Sequence, residues 1–395
     1  MFFHEILEAQ PDPIFGRNEA FQADVRPDKI NLTIGIYKDE HLRAALIPSV
    51  KKMKEQILHQ DLLADYLPLS GLPDFVEQIG MLVFGEKRWQ ANHHRVFAAQ
   101  SLGGTGALQV GAQFLSESVG KTVAVPQLTW PNHRSIFERA GCLVETFPYY
   151  SRKTRGIDME ALCSSLREMR EKTIVILHSV CHNPTGCDPS LDQWKELSQV
   201  MLKRKLLPFF DFAYQGFGDG IEKDRKAIEI FMDDGHEMLI AYSCSKNFSM
   251  YCQRVGALFI VDENAAVKLR VGSHIKKTIR SLYSNPPAHG ARIVSALLQD
   301  ADLKKEWEQD LSRMRDRISL VKESIIRKLS AKMDCEFLRH RKGMFLLIDL
   351  DKHQIQKLID EFGIYLLDNG RISLTGLNEK NIDQVVNGLF SVCQK

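Results

Sequence analysis

Lys246 lies in the stretch SCSKNFSMYCQRVG, three residues after Ser243 and eight before Arg254. A lysine just past an apolar strand, desolvated and near a fixed cation, has its neutral amine favoured, and such an amine attacks carbonyl carbon to form an imine. Taken alone, Lys246 reads more readily as a surface lysine in a loop, where most lysines sit. Asp211 shifts that balance. It directly follows LLPFF, and a carboxylate at the end of an apolar strand needs a cationic partner or strong hydrogen bonds. A protonated pyridine-type nitrogen would be such a partner.

Gly103, Gly104, Thr105 and Gly106 open a helical stretch with the apolar stripe Leu108, Gly111, Ala112 and Leu115. Glycines let backbone approach a ligand closely, and the free amides and dipole of a helix N-terminus attract an anion such as phosphate. A turn serving only chain geometry is the competing reading. A dinucleotide fingerprint fails, because Gln109 stands where the third glycine belongs, and a Walker loop fails for want of GK[ST]. His178, Cys181, His182 and Cys187 are residue types suited to zinc. They share a short loop with an Asn-Pro-Thr-Gly turn, and no metal is expected there.

The elements that must position these groups are legible as alternating runs. Arg95 to Ala99, Thr122 to Val125, Cys142 to Phe147, Thr173 to Leu177, Leu206 to Phe210, Leu239 to Tyr242 and Ala257 to Val261 are nearly continuously hydrophobic, as strands covered on both faces are. Amphipathic helices lie between them. In Ser190 to Lys203, Ser190 and Gln193 can form a capping box while Trp194, Leu197 and Met201 share a face. Strand followed by helix, repeated, predicts an α/β fold with a mainly parallel sheet. Beyond residue 300 the stretch EWEQDLSRMRDRISLVKESIIRKL keeps helical spacing, and GMFLLIDL, EFGIYLL and RISLTGL follow as short strand-like runs. This tail predicts a smaller α+β domain, hinged on the long helix near residue 312. Ligand groups collect at the carboxyl ends of strands in open parallel sheets. The segments QSLGGTG, HSVCHNPTG, DFAYQG and SCSK all follow strand runs, which favours one shared site.

Composition excludes several partners. The 395 residues carry 52 Lys plus Arg against 50 Asp plus Glu, with no long run of one sign, so neither nucleic acid nor an anionic membrane is indicated. The 8 cysteines are scattered without CxxC spacing, as expected of buried free thiols in a reducing compartment. A cytoplasmic location is the expectation, since MFFHEILEAQPDP has no basic n-region or long apolar stretch. No segment reaches the ~20 apolar residues of a membrane helix.

The blocks YLPLSGLPDF, GGTGALQ, TWPNH, HNPTG, DFAYQGF, SKNFSMYCQRVG, SNPPAHGARIV and GRISLTGL together resemble, in order and spacing, the aspartate aminotransferase family, fold type I of the pyridoxal-phosphate enzymes. The resemblance runs from NLTIGIYKDE to the C-terminus. It implies an N-terminal arm (1–12), a small domain (13–44 and 312–395) and a large cofactor-binding domain (45–311) with a seven-stranded sheet. It also implies pyridoxal 5'-phosphate, a homodimer with shared sites, and ping-pong transfer of the amino group of L-aspartate to 2-oxoglutarate. Lys246 corresponds to the Schiff-base lysine and proton carrier. Asp211 corresponds to the partner of the pyridine nitrogen, Tyr214 and Asn183 to those of the phenolic oxygen, and Trp130 to the stacking ring. Gly104, Thr105, Ser243 and Arg254 would hold the phosphate, with Tyr66 of the neighbouring subunit. His133 and His178 would support Asp211. Arg371 matches the α-carboxylate partner, Arg280 the side-chain carboxylate partner reaching across the dimer, and Gly35 lies near the substrate.

Some positions depart from the family pattern. Gly103 stands where many members have serine, and Ile36 and Ala44 are apolar, whereas Lys38, Thr105 and Asn285 keep polar types. This mixture leaves room for aromatic amino acids, since aromatic aminotransferases of this subgroup keep both arginines to use glutamate.

Overall fold

The computed structural model describes residues 2–44, 46–60 and 64–393. Residue 45, where the large domain is expected to begin, and the chain's last two residues lie outside that set.

Seven strands form the main sheet: β1 (Val96–Leu102), β2 (Thr122–Pro126), β3 (Leu143–Phe147), β4 (Ile174–His178), β5 (Leu207–Phe212), β6 (Met238–Ser243) and β7 (Val255–Val261). Their order is β1-β7-β6-β5-β4-β2-β3. Every neighbouring pair is parallel except those made by β7, which runs antiparallel to both β1 and β6. Each strand coincides with one apolar run, and in all but β3 burial on both faces leaves no polar alternation. β3, at the sheet edge, departs from the expected two-sided burial, with most of its residues exposed. Alternate residues divide between two cores: Ile174, Ile176 and Phe209 belong to one, Val175, Leu177 and Phe210 to the other. Helix α1 (Gly103–Ser118) buries Leu108, Gly111, Ala112 and Leu115, so its expected stripe is its packed face. A Cβ at Gly111 would come within 2.6 Å of the Phe209 ring, which is why the helix can lie so close to the sheet. The helix Leu191–Lys203 starts on the expected Ser190–Gln193 capping box.

Helix α2 (Ala301–Ser330) is one 30-residue element running through the expected hinge position, with Leu311, Met314, Ile318 and Ile325 buried. The three C-terminal runs form only short strands. Phe345–Leu347 pairs antiparallel with Arg371–Ser373. Ile364–Tyr365 pairs parallel with Ile30–Asn31, so a segment near the N-terminus completes the C-terminal layer. Sequence reading did not assign that strand, because two residues show no periodicity. Cysteine burial also departs from expectation. All cysteines are free and most are buried, but Cys252 is exposed and Cys393 half-exposed.

Candidate active site

The polar ends of the sheet converge because of strand direction. In the parallel part, His178 at the end of β4 is in register with Asp211 of β5. β7 runs the other way, and its Gly256 faces both Ser101 of β1 and Ser243 of β6. The start of β7, with Arg254 just before it, therefore lies at the same edge as the ends of its neighbours. α1 begins there as well.

A cavity of 510 Å³ occupies this edge. Gly104, Thr105, Trp130, Asn183, Asp211, Tyr214, Ser243, Lys246 and Arg254 line it, and Gly35 and Arg371 reach it from outside the main sheet. Two predicted residues do not. Tyr66 is 87% exposed, and Arg280 is exposed on its helix, bonded to the Ser284 hydroxyl. Ile36 lines the cavity, whereas Ala44, Lys38 and Asn285 do not; the Asn285 amide donates to the Leu67 carbonyl, 3.0 Å away.

Asp211 is fixed from behind. Its Oδ2 lies 3.0 Å from His133 Nε2, and the other ring nitrogen of His133 lies 2.8 Å from the Thr129 hydroxyl. Burial pushes the Asp211 carboxyl up, but the His133 hydrogen bond, together with the charge of Lys246, outweighs it and holds the group below its usual range. His178 Nε2 is 3.9 Å from the same oxygen, too far to bond, and both its ring nitrogens are buried without a hydrogen-bond partner. Burial, reinforced by His133 and opposed by Asp211, lowers His178 to about 3, so its ring is neutral. The donor atoms of His133, His178 and Asp211 lie within 4.8 Å of one another. Among the described residues, Cys181, His182 and Cys187 belong to no such converging set; His182 Nδ1 pairs instead with the Thr185 hydroxyl at 2.8 Å.

The facing side is built differently. The Lys246 ammonium sits 4.8 Å over the Tyr214 ring. Burial, opposed by Asp211 and helped by Arg254 and Arg371, lowers it to about 8. Arg371 is 1% exposed. Its Nη1 donates to Asn183 Oδ1 at 2.9 Å and its Nη2 to the Thr33 carbonyl. Its Nε has no partner. Among the described residues no carboxylate pairs with it, and burial, opposed by Tyr214, lowers it to about 10. Its guanidinium covers the Phe345 ring at 4.2 Å, and a Cβ at Gly35 would meet that same ring at 2.6 Å.

The edge near α1 is cationic and tightly built. Arg254 Nη1 donates to the Tyr251 carbonyl at 3.0 Å and the Ser245 hydroxyl at 3.3 Å, and again no carboxylate pairs with it among the described residues. A Cβ at Gly103 would lie 2.7 Å from Arg254 Nη2, and Gly103 has φ +70°, so glycine rather than serine suits this position. A Cβ added at Gly104 would lie 3.1 Å from that of Ser243.

Sequence reading missed Thr129, Ser245, Tyr251 and Phe345. Thr129 lies in the bend just before the helix that carries His133, with no periodic mark of its own. Tyr251, whose hydroxyl accepts from the Tyr37 amide at 2.7 Å, carries none either.

Residues 27–389 match the family described as aminotransferase class I and II. The chain belongs to that family. Within it, the chain is 40% identical over 394 residues to an aspartate aminotransferase of Pseudomonas aeruginosa, covering 99% of each. It is equally 40% identical to one of Escherichia coli, over 99% of this chain and 100% of that one. An aromatic-amino-acid aminotransferase of Burkholderia pseudomallei, covalently bound to pyridoxal phosphate, superposes with a TM-score of 0.96 at 39% identity, covering 100% of each chain. The cytoplasmic aspartate aminotransferase of Saccharomyces cerevisiae gives 0.96 at 32% identity, over 99% of this chain and 98% of that one. This aminotransferase thus shares the fold type expected from its motifs.

Proposed function

We propose that this aminotransferase uses pyridoxal 5'-phosphate to move the amino group of L-aspartate to 2-oxoglutarate, giving oxaloacetate and L-glutamate in two half-reactions. One observation carries the reading: Arg371 is a fully buried guanidinium with no carboxylate partner among the described residues, in the same cavity as a lysine whose pKa is lowered to about 8. A buried cation without a counter-charge is costly, and a substrate carboxylate relieves that cost with paired hydrogen bonds.

The residues fit the cofactor. Asp211, kept ionised by His133, would hold a protonated ring nitrogen, with Trp130 against the ring. The α1 amides at Gly104 and Thr105, with Ser243 and Arg254, would hold the phosphate. When bound, the cofactor supplies an electron sink that stabilises negative charge at the substrate Cα. Lys246, whose ammonium loses its proton more easily because it is buried, would take the proton from that carbon and return one. Tyr214 and Asn183 would hold the ring's phenolic oxygen, and Asn183 also fixes Arg371 through the 2.9 Å bond. Gly35 leaves room for Phe345 to seal the site from water.

The substrate's second carboxylate needs another cation, and Arg280 stands outside the cavity. We infer a homodimer in which Arg280 and Tyr66 each enter the neighbouring subunit's site. Residues 13–44 and 312–395 would close over the site as the small domain, moving against 45–311, with 1–12 as an arm. Free thiols support a cytoplasmic location, and no helix among the described residues is long and apolar enough to cross a membrane. A second reading, use of aromatic amino acids, is favoured by the apolar lining from Ile14, Phe15 and Ile36. The test is spectral: L-aspartate added to the holoenzyme is expected to change the bound cofactor's visible absorbance, and 2-oxoglutarate to restore it. An unchanged spectrum would overturn the reading.

A further inference from the structure

A second cavity, of 310 Å³, lies where residues 217–219, the face of α2 bearing Arg315 and Lys322, and the segment 339–343 meet, and it shares no lining residue with the active-site cavity. Its charges are unbalanced in a specific way. Lys342 is paired with Asp219 at 2.6 Å, and Arg339 is occupied by Glu336 and Glu323. Arg315, Lys322 and Arg341 have no carboxylate partner among the described residues. Arg315 reaches only the Gly216 carbonyl and the Ser312 hydroxyl, both at 3.1 Å. Lys322 donates to the Arg339 and Arg341 carbonyls at 3.0 and 2.8 Å. Arg341 is 6% exposed. Its Nη2 donates to the Arg155 carbonyl, while its Nε is buried with no partner.

The Arg341 guanidinium lies against the Phe337 and Tyr150 rings, which do not line the cavity. Arg315 and Lys322, held only by neutral acceptors on one face of α2, leave the cavity with an electrostatic deficit that a doubly charged ligand would reduce. Two donors set two turns apart on one helix suit a tetrahedral oxyanion better than a planar carboxylate, which one arginine can satisfy by itself. We propose that this cavity binds a small dianionic oxyanion, a phosphate or a phosphate ester, bridging α2 and the 339–343 segment. The site is joined to the catalytic one by short chain paths. The Lys342 amide donates to the Gly186 carbonyl at 2.8 Å, in the turn that carries Asn183, and Phe345 follows two residues after Gly343.

Calorimetric titration of the holoenzyme, whose catalytic phosphate site is already filled, with inorganic phosphate at constant ionic strength tests the proposal, with chloride as control. One site per chain is expected, weakened at least about tenfold by Arg315→Gln and by Lys322→Gln, each variant retaining transamination. Using both avoids Arg341, whose replacement endangers folding. Glycerol phosphate in a parallel titration separates a free anion from an ester as the source. Phosphate heats equal to those of chloride, or equal affinity in wild type and both variants, would overturn the proposal.

Discussion

The two walls of the active-site cavity satisfy their charges in opposite ways. On the sheet side, Asp211 is tied to His133 at 3.0 Å and His133 to Thr129 at 2.8 Å. On the other side, Arg371 and Lys246 have no carboxylate within bonding distance among the described residues, and both are lowered from their usual ranges by burial. The first wall is complete before any ligand arrives; the second is complete only with an anion in place. Fixed charge on one side and unmet charge on the other suit a permanently held group and a transient one respectively. The largest consequence concerns the one amine between the walls. Lys246→Ala is expected to lower kcat for transamination by about 10³-fold or more, since it removes the proton carrier. Single-turnover kinetics of the reconstituted variant would measure it, and a loss under about tenfold would place the carrier elsewhere.

Arg371 and Asp211 separate the walls directly. Arg371→Met keeps contact with Phe345 and removes a costly charge, so kcat/KM for aspartate should fall by roughly 10²- to 10³-fold. Its unfolding free energy should stay within about 1 kcal/mol of wild type, because the lost hydrogen bonds offset the relief of a buried cation. Asp211→Ala should instead cost about 2 to 3 kcal/mol in the cofactor-free protein, by leaving His133 without its charged partner. Equal stability losses in denaturant titrations of the two variants would erase the contrast.

How much of this was legible in the sequence follows the same division. Asp211 on the sheet wall and Lys246 facing it were readable because both follow apolar strands, and a charged residue there demands an explanation. The Gly103–Gly106 turn was readable because glycine restricts what the backbone can be doing. Strand runs were readable because both faces of the sheet are buried along every strand but the exposed edge strand β3. The second wall was less so. Its strands, Ile30–Asn31 and Arg371–Ser373, are 2 and 3 residues long, too short for periodicity to register, and Arg371 gained its role only from the resemblance. Phe345 lies in an apolar run, but nothing local says that it packs beneath a guanidinium. Arg280 shows the limit most clearly, since one chain cannot display what a partner completes.

Arg280 extends the comparison beyond the single chain. Arg280→Ala should reduce kcat/KM for aspartate by about 10²-fold while changing phenylalanine by less than about threefold, because only the dicarboxylate needs a second guanidinium. Mixing the Arg280→Ala and Lys246→Ala homodimers should restore about a quarter of the sites after full exchange, since half the dimers are mixed and each has one intact site. No recovery despite exchange confirmed by mass would count against sharing.

The smallest expected effect probes a flaw in the apparently complete wall. His178 sits 3.9 Å from Asp211 with neither ring nitrogen bonded, and burial lowers it to about 3 from an ordinary value of 6.5. Below pH 6.5 the unfolded chain takes up a proton at this position while the folded chain does not, so the favourable contribution present above 6.5 is lost progressively as pH falls toward 3. Between pH 7 and pH 4.5 this one group should remove about 2 to 3 kcal/mol from the cofactor-free protein. His178→Leu cannot take up the proton, so its stability should fall less steeply over the same interval, whatever its value at pH 7. Identical acid slopes in the two proteins would mean that His178 gains a proton in the folded state, and the sheet wall would then carry an unmet charge of its own.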